Sequence, residues 1–365
     1  MALAPAVIVF CIPLGLAPAV TRTFHPGLNK VTLQLKSVAR AEFAGYYAAK
    51  ALGYYTDFGL DVDIKSGGPD VNPEQVVASG RAQIGLDWLP VVLASRDTGV
   101  ALVNIAQMFP RSAMAEITWR SSGITSVAGL KHKRVGVWCC GKQFELYAAL
   151  KKYGIDAADG KGIKIFNQPF DMRAFLRHRI DAAAALTYDQ LAQVLETRNP
   201  ATGRPYVPHD LRVLKLQDEG TGMLEDGLFA EGRWIDANRD VAMRFIAASD
   251  RGWIFCRSHI KACATIVLRY APALHESHQL WQLNEINKLI WPNALGIGIM
   301  DSAAFKQTAT IALKYKLIKN PASGKAYDGQ LPTAALQYLT NHVKGIDVLG
   351  TRYRAVSVTL RTSGK

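Results

Sequence analysis

VTLQLKSVARAEFAGYYAAKALGYYTDFGLDVDIK, residues 31–65, carries the reading of the fold. Val31 to Lys36 alternates apolar and polar side chains with the period of two that a half-buried strand requires. Residues 42–55 read as a helix that ends near Gly53. Leu60 to Lys65 returns to a strand. A strand, a helix and a second strand at this spacing form the unit in which a helix crosses between two parallel strands.

The same alternation continues on the C-terminal side. Gly67-Gly-Pro-Asp70 reads as a turn, Pro73 to Ser79 as a short helix closed by Gly80, and Ile84 to Asp87 as a buried strand. A helix through about Ser95 and a strand over 100–108 follow. A second set then begins, with strands at 134–138, 163–166, 182–186 and 211–216 and helices at 143–153, 172–179 and 188–196. Beyond Leu224 the pattern is almost wholly helical, with helices at 238–256, 278–290, 302–315 and 332–343. The predicted class is α/β, in two lobes. Each lobe is a mostly parallel sheet flanked by helices, and the C-terminal third is helical. Segments around 115–119 and 223–230 are expected to cross between the lobes. Ligands of open α/β sheets sit at the carboxyl ends of the strands, so two such sheets facing each other define a cleft.

Composition fits that frame and removes several alternatives. The chain has 365 residues, 49% hydrophobic and 20% charged, enough for two lobes with their own cores and not the composition of a disordered chain. The only long apolar run is at the start, from Ala2 through Leu16 to Ala17-Pro-Ala19, and it reads as a signal peptide over residues 1–22 although no Lys or Arg precedes Arg22. The net charge of +13 is scattered in short clusters such as Lys131-His-Lys-Arg134 and Arg173/Arg177/Arg179. No basic stripe interleaves with aromatics, so nucleic acid is not expected as a partner. The five cysteines form no disulfide framework. Cys256 and Cys263, seven apart in a helical stretch, would lie roughly 10 Å apart, too far to bridge.

Chemistry-bearing motifs are few. Gly136-Val-Trp-Cys-Cys-Gly141-Lys142 spells the G-x-x-x-x-G-K phosphate loop between a strand and a helix, but Gln143 stands where a magnesium-binding Ser or Thr belongs. The loop is therefore expected to offer helix N-terminal amides to a polar edge or anion and not to hydrolyse a nucleotide. His275-x-x-His278 has helical spacing without further ligands nearby, so no metal is expected. No G-x-S-x-G elbow is present. Aromatic residues, in contrast, gather at predicted strand ends and first helical turns, as a site for a flat ligand needs. The candidate ligand-binding residues are Phe43, Tyr47, Asp87, Trp88, Glu116, Trp138, Gln143, Phe170, Asp171, Tyr188 and Glu219. Trp88, Trp138 and Tyr188 lead for stacking, and Asp87, Gln143 and Glu219 for hydrogen bonds to ring edges.

Glu42-Phe-Ala-Gly-Tyr-Tyr-Ala-Ala-Lys50, Gly53-Tyr-Tyr-Thr-Asp-Phe-Gly-Leu-Asp-Val62 and Ile84-Gly-Leu-Asp-Trp88 resemble the thiamine-pyrimidine-synthase-like branch of periplasmic solute-binding proteins, over about residues 30–345. Gln168-Pro-Phe-Asp-Met172 and Asp218-Glu-Gly-Thr-Gly-Met-Leu-Glu-Asp-Gly-Leu-Phe-Ala230 are closer to its riboflavin-receptor subgroup. The resemblance implies the type II two-lobed binding-protein fold: lobe 1 over 30–117 and 229–345, lobe 2 over 118–228, and a tail over 346–365. It implies an exported, periplasmic or cell-surface monomer that hands riboflavin or a thiamine pyrimidine precursor to an ABC-transporter permease, with no cofactor. The same branch contains true synthases, which consume pyridoxal phosphate and a protein histidine. Those carry a lysine and a histidine after the third strand and a later cysteine run. Here the corresponding segments are Leu86-Asp-Trp-Leu-Pro90 and Gly220-Thr-Gly-Met-Leu-Glu225, which have neither. An enzyme is therefore not expected.

Overall fold

The computed structural model describes residues 27–138, 142–157 and 162–362. The expected signal peptide and the centre of the phosphate-loop motif lie outside them. The described strands are β1 Asn29–Gln34, β2 Leu60–Lys65, β3 Ile84–Trp88, β4 Leu102–Gln107, β5 Met114–Trp119, β6 Arg134–Val137, β7 Lys164–Asn167, β8 Ala182–Leu186, β9 Leu211–Lys215 and β10 Asp226–Glu231. The α-helices are α1 Ala44–Ala51, α2 Tyr54–Asp57, α3 Pro73–Ala78, α4 Leu89–Asp97, α5 Phe144–Lys152, α6 Arg173–Leu176, α7 Gln190–Leu195, α8 Gly232–Ala237, α9 Arg239–Ser258, α10 Ile260–Tyr270, α11 Glu276–Ile290, α12 Ser302–Lys314 and α13 Gln330–His342.

Two five-stranded sheets share one plan: β2-β1-β3-β10-β4 and β7-β6-β8-β5-β9. Four strands of each sheet run the same way. The fifth, β10 or β5, is antiparallel to both of its neighbours. Two findings differ from the sequence reading here. The segment around 115–119, expected to cross between lobes, is β5, a full member of the second sheet. The change of sheet falls earlier, in residues 108–113, and the return runs through 216–225 into β10. Each antiparallel strand is thus the first strand laid down after a crossing.

In lobe 1, Val31, Leu33 and Leu35 are buried on one face of β1, as the alternation predicts. The helix expected over 42–55 is divided: a 3-10 turn at Ala41–Phe43 leads into α1, and Gly53 in the left-handed region (φ 77°) separates α1 from α2. α1 packs on α9 at glycines. A methyl group on Gly45 would overlap the Trp253 ring, and one on Gly252 would overlap the Gly45 carbonyl. This close approach fixes the start of α1, with Arg40 and Glu42 just before it, at the edge of the first sheet.

The cysteine argument needs correction. Cys256 and Cys263 form a disulfide, with Cα atoms 5.1 Å apart. The spacing estimate assumed one straight helix. The chain breaks at His259 (φ −132°, ψ 55°), so Cys256 lies in the last turn of α9 and Cys263 in the separate helix α10, which turns back on it. The C-terminal helices do cover lobe 1, and α11 also reaches lobe 2, where the Trp281 indole N–H donates to the Thr187 carbonyl at 3.0 Å. The tail then follows α11, with Val356 N–H donating to Asn284 Oδ1, and Leu360 packs on the lobe 2 core around Trp119 and Phe175.

Candidate functional site

The carboxyl ends of β1, β3, β6, β7 and β8 face one another between the sheets. Lys36 follows β1. Its ammonium lies 2.9 Å from Glu42 Oε1 and also pairs with Asp226, the first residue of β10. Glu42 Oε2 lies 3.1 Å from Arg40 Nε, and Glu42 Oε1 accepts the Tyr188 hydroxyl at 3.0 Å. Arg40 continues across the cleft and donates to Asp189 Oδ2 at 3.0 Å. Asp189 Oδ1 lies 3.4 Å from His278 Nε2, whose other ring nitrogen meets Glu196 at 3.0 Å. A chain of alternating charge thus ties the loop after β1 in lobe 1 to the end of β8 and to α7 in lobe 2.

Electrostatics follow from burial and pairing. Burial alone would lower the pKa of the Lys36 ammonium, but Asp226, Glu42 and Asp87 outweigh it and raise it. Burial would raise that of Glu42, but Lys36 and Arg40 hold it low. Burial also opposes a charged His278, yet its hydrogen bonds to Asp189 and Glu196 push it up to about 9. All three groups are therefore charged at neutral pH.

The ring-bearing part of the cleft is built differently. Trp88 ends β3, and its indole is faced by Lys36 at 5.0 Å and by Lys142 at 5.5 Å. Trp138 follows β6, is buried, and donates its indole N–H to the Pro169 carbonyl at 3.4 Å. Phe170 follows β7, lies 5.3 Å from Trp138 and is 60% exposed. Lys142 sits 4.9 Å above Phe170 with no carboxylate in ion-pair distance among the described residues. Burial, together with the charge of Lys36, lowers its pKa. Asp87 is half-buried; burial raises its pKa, and one of its oxygens accepts the Trp88 amide at 2.7 Å.

The structure therefore brings together Asp87, Trp88, Trp138 and Phe170 from the sequence candidates; Tyr188 is fully buried beside Phe109 with its hydroxyl on Glu42, so its ring has no free face for stacking. Gln143, one residue past Lys142, is half-buried at the start of α5. The others are elsewhere. Phe43 is fully buried in the lobe 1 core. Tyr47 stacks on Tyr270 at 4.5 Å, against α10. Glu116 lies mid-strand in β5, paired with Ala184 and Leu214. Asp171 turns back to Arg173 at 2.6 Å, and Glu219 accepts the Tyr153 hydroxyl at 2.8 Å at the far end of α5. Lys36, Arg40, Glu42 and Lys142 were not among the candidates. A lysine closing the alternation of β1 was the available signal for the first. Lys142 was visible as the lysine of the G-x-x-x-x-G-K motif, whereas the interlobe roles of Arg40 and Glu42 depend on Asp189 and Tyr188, distant in sequence.

Residues 40–261 match the family described as NMT1/THI5 like. The chain belongs to that family. It is 24% identical over 320 residues to the riboflavin-binding protein RibY of Chloroflexus aurantiacus, a match covering 81% of this chain and 84% of that protein. It is 23% identical over 233 residues to the 4-amino-5-hydroxymethyl-2-methylpyrimidine phosphate synthase of Candida albicans, covering 63% and 68% of the two chains. Among solved structures, a putative periplasmic sulfonate-binding protein SsuA from Methylobacillus flagellatus superposes with a TM-score of 0.62 at 15% identity, over 92% of this chain and 99% of that one. The fold is therefore the two-lobed one of ABC-transporter solute-binding proteins.

Proposed function

We propose that this chain is the exported solute-binding component of an ABC importer, acting as a monomer, and that it captures a planar heterocycle, riboflavin or a thiamine pyrimidine precursor, in the interlobe cleft for a membrane permease. The observation that carries this reading is the set of Trp88, Trp138 and Phe170 at facing strand ends, with Asp87 and Lys142 beside them. Rings give a flat ligand its stacking surface, and the acid and ammonium fix its polar edge. Likeness to the riboflavin-binding relative supports the ligand class. The test is mass spectrometry of whatever small molecule travels with the purified protein, followed by calorimetry. Saturable binding of riboflavin or the pyrimidine is expected. If only alkanesulfonates bind, the ligand class is wrong.

A synthase reading is favoured by the likeness to the Candida albicans enzyme. It requires pyridoxal phosphate to react with a lysine of this chain and a histidine to be consumed. We expect no new visible absorption band on adding pyridoxal phosphate and no change in mass at any histidine. Either change would replace the transport reading with an enzymatic one.

A further inference from the structure

Two buried carboxyls meet where the chain passes between the lobes. Glu145 projects from α5 of lobe 2, and Glu225 lies in the second crossing, one residue before β10. Ser112, in the first crossing, joins them: its Oγ lies 2.7 Å from Glu145 Oε2 and 3.2 Å from Glu225 Oε1. The same Oγ accepts the Met114 amide at 3.0 Å, and Glu225 Oε1 accepts the Ala113 amide at 2.6 Å. Ser112 and both acids are buried. Among the described residues, no Lys, Arg or His lies in ion-pair distance of either acid.

Proton counting decides how this cluster is held. A serine hydroxyl has one hydrogen and can donate to only one of the two acids. The other contact holds only if a carboxyl brings its own proton, and two ionised carboxylates this close would repel without a counter-ion.

We propose that Glu145 and Glu225 are positioning residues for lobe closure, which hold both crossings to α5 through a shared proton so that the closed arrangement loosens when that proton is lost. α5 begins beside Lys142 and Gln143, so the hinge and the cleft move on one helix. Burial pushes Glu145 up to about 8, and burial with the charge of Glu145 raises Glu225 well above the usual carboxylate range. The other charged or titratable groups acting on Glu225 are Lys36, Asp226 and Tyr188. Lys36 is already held by Glu42 and Asp226, so it is not free to neutralise a newly ionised hinge.

The experiment is small-angle X-ray scattering of the full chain from about pH 6 to pH 10, with near-ultraviolet circular dichroism on the same samples. It needs no ligand, so its failure is separate from failure of the proposed cargo. The wild type is expected to stay compact while one carboxyl proton remains and to expand in one step above the value for Glu145, when the second is lost, with its dichroism retained. Glu145→Gln and Glu225→Gln, which supply a non-ionising donor, are expected to stay compact throughout. A wild-type radius that does not change, expansion only together with loss of dichroism, or a step that persists in the double Gln variant would each overturn the proposal. If one Gln variant fails to fold, the other single variant carries the comparison, because His278 also titrates within this window and only the Gln variants separate the two.

Discussion

The two walls of the cleft solve opposite problems. The cations of the lobe 1 wall are already paired: Lys36 with Glu42 and Asp226 of its own lobe, and Arg40 with Glu42 and, across the cleft, with Asp189 of lobe 2. The lobe 2 wall carries Trp138, an exposed Phe170 and the Lys142 ammonium, which has no carboxylate in ion-pair distance among the described residues. A group whose partners lie within the protein is poorly placed to choose a ligand. A ring face and an unpaired cation are well placed to do so. The paired cations of the lobe 1 wall thus tie the lobes together, while the lobe 2 wall leaves a ring face and an ammonium open to the cleft.

Removing Glu42 should produce the largest effect. Glu42→Ala removes a buried acid shared by two half-buried cations and leaves the Tyr188 hydroxyl without its acceptor. Breaking a buried pair costs about 3–5 kcal/mol where the remaining charge is uncompensated; Lys36 and Arg40 keep Asp226 and Asp189, so the loss is expected at the low end of that range. Urea unfolding should show that loss. A cost under about 1 kcal/mol would mean that the network is solvated and does not lock the lobes.

His278 tests the far end of the same chain. Its pKa is raised to about 9 in the folded protein, against about 6.5 unfolded, so the folded state binds the proton more tightly. The stabilisation is fully present below the unfolded value and is lost as pH rises through the folded one. It amounts to about 3 kcal/mol across that window. His278→Gln should remove this component from the stability-against-pH curve, which denaturant titration at several pH values would show. An unchanged slope would detach His278 from the interlobe network.

How much of this was legible beforehand depends on the range of the interactions. Strand β2 falls where its alternation places it, because a period of two is a local property, and β8 falls where a short apolar run places it. Trp88, Trp138 and Phe170 were also legible, since each sits just after or at the end of a strand it follows in sequence. The Lys36–Glu42–Arg40–Asp189 chain was not, because Arg40 and Asp189 are 149 residues apart and only the packing of two lobes joins them. Glu116 shows the reverse error. An acid near an expected crossing looked available to a ligand, but β5 is central in its sheet, and burial there raises the pKa of Glu116 well above the usual range. The Cys256–Cys263 disulfide was missed for a similar reason, since nothing in the residue pattern marks the helix break at His259.

The smallest expected effect is the sharpest probe of the lobe 2 wall. Phe170 is 60% exposed, and it contacts Trp138 and Lys142 without filling a core position. Replacing it with Ala should change stability by no more than about 0.5 kcal/mol, as for surface positions in general. If its free face stacks on the ligand, affinity should fall by about 1 kcal/mol, roughly fivefold. Trp138→Ala cannot separate these two effects, because Trp138 is buried and its loss would also leave a cavity. Calorimetry on Phe170→Ala with whichever heterocycle binds the wild type therefore isolates recognition from folding. Unchanged affinity would move the ligand away from Phe170 and toward Trp88, where two ammonium groups already face the ring and a flat cation would be excluded.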